Sequence, residues 1–270
     1  MGLLPLIHDL TAIGCLYSEV SQVAAIQFVI QEDPQWIWLA LAKEGHDTTL
    51  VSSVGNDMDG WNIITDLIQG NVDVHHIVVD PEKQTNESII IVEGETGSRT
   101  FVGVGPTTSL SITSPSQVPW NELERSKIVY IGEVFVEVAA AIVAHAKVQG
   151  TPTVYRCSVP YWELGLDRLK PVLSQVHTLL ISNQAWVYLK KYHGSWPLLK
   201  LRKITDAAII VHQSENEYLL SLVDKQDHIF PYEHDSADIS EMFVTGLLIK
   251  LAEGADISQA VEYALSHDRQ

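Results

Sequence analysis

The sequence is poor in the residues that staple or metallate a protein. Among its 270 residues are two cysteines, Cys15 and Cys157, with no CxxC pair. A disulfide framework and a cysteine-rich metal site are not expected; two small buried hydrophobes in a reducing, cytoplasmic setting are. Cations are scarce too, with 17 Lys and Arg against 34 Asp and Glu, a formal charge of −17. Such a balance repels nucleic acid and anionic membrane, so neither is expected as a partner. No apolar run reaches spanning length, which leaves no transmembrane helix. The stretch MGLLPLIHDLTAIGCLYSEV lacks a basic leader region and is interrupted by His8, Asp9 and Glu19. It is not read as a signal peptide. Also missing are a Walker glycine loop, a Ser-His-Asp pattern and zinc-ligand spacing. The pair His75-His76 reads as surface, and no metal site is expected.

What is present is enough apolar residue, 46%, to build a large core. Strand-like runs (LTAIGCL, TTLVSSVG, SKIVYIGE, TPTVYRC, VHTLLISN, ITDAAIIVHQ) alternate with helical ones (PQWIWLALAKEG, GWNIITDLIQGN, FVEVAAAIVAHAKVQG). A further helix runs on from Met242. This alternation predicts a mainly parallel sheet with helices on both faces. No repeat or low-complexity linker appears, so one domain over 1–270 is expected. Two strand-like stretches break the pattern, residues 18–31 and 86–104. The second reads as a hairpin turning at Glu95-Thr96-Gly97, and together they predict a small β flap inserted in the domain.

The segment TTLVSSVGNDMDGWNIITDLIQGNVDVHHI resembles the ribokinase-like, pfkB-type carbohydrate kinases. Those enzymes have a strand ending in VGxDxxG, a helix, then a GV(D/N) turn. The matching residues are Val54, Gly55, Asp57 and Gly60, then Gly70 to Val72. The resemblance continues through TNESIIIVEGETGSRTFV, which looks like the family's lid hairpin, to FVTGLL at Phe243 to Leu248. It implies a ribokinase-like three-layer α/β/α sandwich with a small β-strand lid. It also implies Mg and ATP as cofactors if the chain is active, a sugar or nucleoside as acceptor, and pairing through the lid as one route to a homodimer.

The residues that carry the family's chemistry depart from its pattern. Aligning the family's D-T-x-G-A-G-D-x-F-x-x-G loop on Phe243 and Gly246 puts the catalytic aspartate at Glu241. The glycine-rich anion hole falls on Asp238, Ile239 and Ser240. A carboxylate about 5 Å from phosphate, at an effective dielectric of about 20, repels each unit of charge by about 3 kcal/mol. The spacing of Asp238 and Glu241 fits a capping box instead, with Asp238 at the N-cap and Glu241 at N3. On the substrate side Glu19 falls near the family's early aspartate, while Gln31, Glu32 and Trp36 replace its Gly-Gly pair and asparagine. Asp33 and Pro34 still open the following helix well, and the Trp36 indole is expected to plug a vacated pocket. On the nucleotide side Asn183 matches the N-x-x-E element, but Trp186 takes the glutamate position. His212, Ser214 and Glu217 replace the threonine and glycines of T-x-G-x-x-G. The sequence ends at Gln270, near where the family's adenine-covering helix would begin, so this side is expected to be open.

Phosphoryl transfer rests on positioning and on charge neutralisation by metal, backbone N–H groups and cations. With those parts replaced, the expectation is a degenerate, pseudokinase-like homologue that needs no cofactor and acts by binding a protein partner or a small sugar- or nucleoside-like ligand. The alternative is an ATP-dependent sugar or nucleoside kinase with rewired motifs and Glu241 as general base.

Overall fold

The protein's structure, a computed structural model, describes residues 10–13, 17–19, 35–92, 99–103, 112–214, 216–232 and 239–268. In chain order it builds β1 (Leu10–Ile13), β2 (Tyr17–Glu19), α1 (Gln35–Lys43), β3 (Thr48–Gly55), α2 (Met58–Gln69) and β4 (Asp73–Asp80). The hairpin strands β5 (Asn86–Val92) and β6 (Arg99–Gly103) follow, then α3 (Trp120–Arg125), β7 (Ile128–Ile131), α4 (Val136–Gln149) and β8 (Thr153–Arg156). The second half holds α5 (Val159–Glu163), α6 (Leu166–Leu173), β9 (Thr178–Ile181), α7 (Asn183–His193), α8 (Leu198–Leu201) and β10 (Ala208–Ser214). It closes with β11 (Glu217–Ser221), β12 (His228–Pro231), α9 (Glu241–Ala252) and α10 (Ile257–His267).

Nine strands form one sheet in the order β12-β11-β10-β9-β8-β7-β1-β3-β4. From β4 to β10 every neighbouring pair is parallel; β11 and β12 add an antiparallel edge. All eight residues of β3 are buried, as expected of an interior strand covered on both faces. The fold is thus the α/β sandwich with a mainly parallel sheet that the alternation predicts. The edge hairpin β11–β12 was not among the expected strands.

Each face of the sheet has its own core. Val129, Ile131, Leu179 and Val211 pack with α4, α6 and α7, while Ile128, Tyr130, Leu180 and Ile210 pack with α1, α2, α9 and α10. Strand β1 sits between β3 and β7, so the chain leaves it in both directions. In open α/β sheets ligands bind beyond the carboxyl ends of the strands at such a reversal.

A second sheet holds β2, β5 and β6, with β5 and β6 antiparallel and Ile90 opposite Phe101. These strands lie in the stretches read as a lid. The expected turn at residues 95–97 and most of 18–31 lie outside the described residues.

Candidate active site

The first part of the site is the turn from β3 into α2. Asp57 caps α2, its carboxylate accepting from Gly60 N–H at 2.8 Å. The same carboxylate accepts from the Thr85 N–H and hydroxyl, each at 2.6 Å. The Thr85 Oγ1 in turn accepts from Gly55 N–H at 3.0 Å. Burial alone would raise the Asp57 carboxyl pKa, but these hydrogen bonds outweigh it and hold it below the usual range. A Cβ on Gly55 would lie 2.4 Å from Thr85 N, and one on Gly60 would lie 2.3 Å from Gly55 O. The VGxDxxG pattern is therefore a knot that ties β3 and α2 to residue 85, directly before β5. Asp57 is consumed in that knot.

The mouth of α9 is the second part. Helix α9 follows β12, whose end lies beside the β10–β11 turn, with Tyr232 N–H donating to Asn216 O at 2.7 Å. The N-cap of α9 is Ser240, whose Oγ accepts from Phe243 N–H at 3.0 Å. This corrects the expected capping box. The helix starts at Glu241, which is N1 rather than N3, and Asp238 lies outside the described residues. A carboxylate does reach the mouth, from the other end of the helical hairpin. Ser240 Oγ and Tyr232 OH both donate to the buried Asp268, at the carboxyl end of α10. Burial pushes the Asp268 carboxyl up to about 6. Beside it, His267 reaches Glu44 through Nε2 at 2.6 Å and the Met242 carbonyl through Nδ1 at 3.2 Å. Ile239 is fully buried, and Glu241 is part-exposed.

The nucleotide-side positions lie at the ends of β9 and β10 and are built into the core. Asn183 opens α7 and donates its amide to Gln213 O at 2.8 Å. Trp186 has none of its surface exposed and packs edge-on against Trp196. His212 is equally buried, stacked on Tyr218 at 4.7 Å, and Tyr218 stacks on Phe243 at 4.5 Å. This aromatic column joins β10, β11 and α9. Ser214 ends β10 and Glu217 begins β11, the two paired across a tight turn. His212, Ser214 and Glu217 are thus brought close to the α9 mouth, yet as parts of a hairpin. For Mg–ATP, the buried indole and imidazole are a poor fit.

On the substrate side Trp36 is 53% exposed on the first turn of α1. Among the described residues no pocket encloses it, contrary to expectation. Gln31 and Glu32 lie outside the described residues, and Glu19 ends β2 in the lid sheet. Cys157 is buried and unpaired in a disulfide, with burial pushing its thiol pKa up. Among the described residues there is no His, Cys, Asp and Glu grouping fit for a metal, and no helix long and apolar enough to cross a membrane. Sequence reasoning missed Thr85, Tyr232, His267 and Asp268. Their partners lie 25 or more residues away, and no local pattern marks them.

The family model for pfkB family carbohydrate kinases matches residues 37–185. The sugar kinase homologue PH1459 of Pyrococcus horikoshii is 31% identical over 101 residues, 37% of this chain and 32% of that protein. The aligned stretch thus spans about a third of that relative's length. Its structure, described as that of an uncharacterized sugar kinase, superposes with a TM-score of 0.71 at 17% identity, covering 95% of this chain and 89% of that one. Arabidopsis thaliana ribokinase complexed with ribose and ATP gives 0.73 at 12% identity, over 97% and 91% of the two chains. A ribokinase II homologue of E. coli in complex with ATP and Mg2+ gives 0.74 at 17%, over 96% and 91%. At these structural identities the likeness is one of fold.

Proposed function

The chain belongs to the pfkB family of carbohydrate kinases, and we propose that within it this protein has impaired phosphotransfer and works by binding, its ligand a protein partner or a small sugar- or nucleoside-like molecule. The observation that carries this reading is the capped mouth of α9. Ser240 uses its hydroxyl to satisfy Phe243 N–H, and Asp268 holds that hydroxyl from behind. A helix N-terminus binds phosphate through open N–H groups and a favourable dipole. Here a side-chain oxygen already takes one of those N–H groups and a carboxylate stands behind it, so an added anion would meet repulsion. The filled nucleotide side points the same way: Trp186 and His212 stand where a metal-associated carboxylate and a phosphate-side residue would be needed.

A second reading keeps the chemistry, with Glu241 as general base. It is favoured by the placement of Glu241 on the first turn of α9, where it is part-exposed. Against it, Asp57, one of the two groups that would position a metal, is spent on structural hydrogen bonds.

Thermal-shift titration separates the two. A ligand at a hundredfold excess over its dissociation constant stabilises by about 2.7 kcal/mol. The proposal expects no shift with millimolar Mg–ATP, and a shift with a sugar or nucleoside if the ligand is small. Steady turnover of ATP with a sugar acceptor, abolished in Glu241→Ala, would replace it with the kinase reading.

A further inference from the structure

The net charge of −17 conceals two segments of opposite sign. Residues 44–82 contain eight carboxylates and no Lys or Arg, whereas residues 168–205 contain seven Lys and Arg and no carboxylate. Each segment also exposes large apolar side chains. On α2 these are Met58, Trp61 and Ile68, with Met58 76% exposed. With Thr65 they recur at i, i+3, i+7 and i+10, one stripe about 15 Å long on the outer face of the helix. Asp59 and Asp66 flank it, and α2 carries no basic residue. On α7, α8 and the turn between them the exposed groups are Val187, Tyr192, Trp196 and Leu199, with Leu199 69% exposed.

Lys190, Lys191, Lys200 and Lys203 surround this second patch, all exposed. No ion pair joins any of the four to a carboxylate among the described residues. Lys191 lies 5.1 Å from the Tyr192 ring, and Lys200 is close enough to help lower the His193 pKa, after burial. The cations are therefore clustered in space as well as in sequence.

We infer that these two surfaces are the halves of one head-to-tail interface, the α2 stripe of one molecule docking on the α7–α8 patch of a second copy of this chain. The two cannot meet within a molecule. Helix α2 packs on the sheet face that holds Ile128 and Ile210, near the β4 edge, and α7 packs on the opposite face beside β9 and β10. Charge complementarity chooses the occupant. A polyanion such as nucleic acid or an acidic membrane would find the basic patch but would be repelled by the rest of the chain. A second copy offers a carboxylate-flanked apolar stripe where the patch offers lysines and aromatics, so apolar burial and opposite charge coincide. Because donor and acceptor surfaces differ, the contact is heterologous, and it propagates into a ring or a chain.

Complementation tests this directly. Wild-type protein at about 50 mM salt should rise above its monomer mass as concentration increases, by sedimentation velocity. At about 500 mM, where screening shortens the Debye length to a few ångströms, it should return to monomer. Variant A, Trp61→Lys with Asp66→Lys, and variant B, Lys190→Gln with Lys191→Gln and Leu199→Gln, should each be monomeric while melting near wild type. Leu199→Gln alone serves as a second B variant if the triple change lowers stability. An equimolar mixture of A and B should form a species of about twice the monomer mass and stop there, because only one intact pair of surfaces remains. A wild type that stays monomeric, association that persists in A or B alone (as pairing through the lid would give), or an inert mixture would each overturn the inference. So would wild-type binding to phosphatidylserine vesicles that is lost in B, which would assign the patch to lipid.

Discussion

At position 186 an indole is sealed in the core, edge-on to Trp196 at 5.9 Å. Its N–H has no hydrogen-bond partner among the described residues, a cost the surrounding apolar contacts must outweigh. Restoring the carboxylate that the family pattern has here should therefore be damaging. Trp186→Glu would bury an unpaired acid and leave a void, and is expected to lower stability by at least about 3 kcal/mol in urea titration. An unchanged midpoint would mean that this position opens to solvent and that the nucleotide side is accessible after all. Asp268 sets a second residue-scale expectation. Its folded pKa is raised by burial to about 6, so the folded state binds the proton more tightly than the unfolded chain. The stability it contributes is full below pH about 4 and is lost as pH rises towards 6. Solvent screening and the hydroxyls of Ser240 and Tyr232 limit the effect to no more than about 2 kcal/mol. Asp268→Asn should remove that slope between pH 4 and 6, and an unchanged slope would place the titration elsewhere.

At the scale of elements, the α9–α10 hairpin is what brings Asp268 back to the α9 mouth. Its closeness depends on Gly246, where a Cβ would lie 3.0 Å from both Ala264 Cα and His267 Cβ. Helix propensity alone would make Gly246→Ala stabilising by about 1 kcal/mol. Overpacking against a helix backbone typically costs about 1–3 kcal/mol, and the neighbour here is main chain, so a net loss is expected in thermal melts. A gain would show that the two helices can part without penalty. The start of α9 also marks how far sequence reasoning reaches. Asp238 and Ser240 are both good N-cap residues, two positions apart, and D-x-x-E spacing favoured the first. What selects Ser240 is its contact with Asp268, 28 residues on, and no local pattern encodes that choice. By contrast TTLVSSVG and GWNIITDLIQGN were legible because burial and capping there are local: a strand covered on both faces, then a helix opened by Asp57. The β11–β12 hairpin escaped because its strands are short and the second ends in Pro231 at a sheet edge, where proline is tolerated.

On the scale of the whole molecule, sequence pattern conveys layers more readily than surfaces. Composition reports one net charge, and only the placement of α2 and α7 on opposite faces turns the two charged segments into separate surfaces. The layers themselves follow from alternation along buried strands. Ile209 and Val211 point into one core and Ile210 into the other. Neither core can melt alone without baring one face of seven parallel strands, and that coupling argues for a single folding unit despite the chain's length. Calorimetry should then give one transition whose van't Hoff and calorimetric enthalpies agree. Leu169→Ala, a cavity beneath α6, and Leu247→Ala, a cavity beneath α9, are each expected to cost about 2–5 kcal/mol. Each should shift that single transition as a whole. Two resolved peaks, with each variant moving only one of them, would mean that the two faces unfold separately and that the sheet does not couple them.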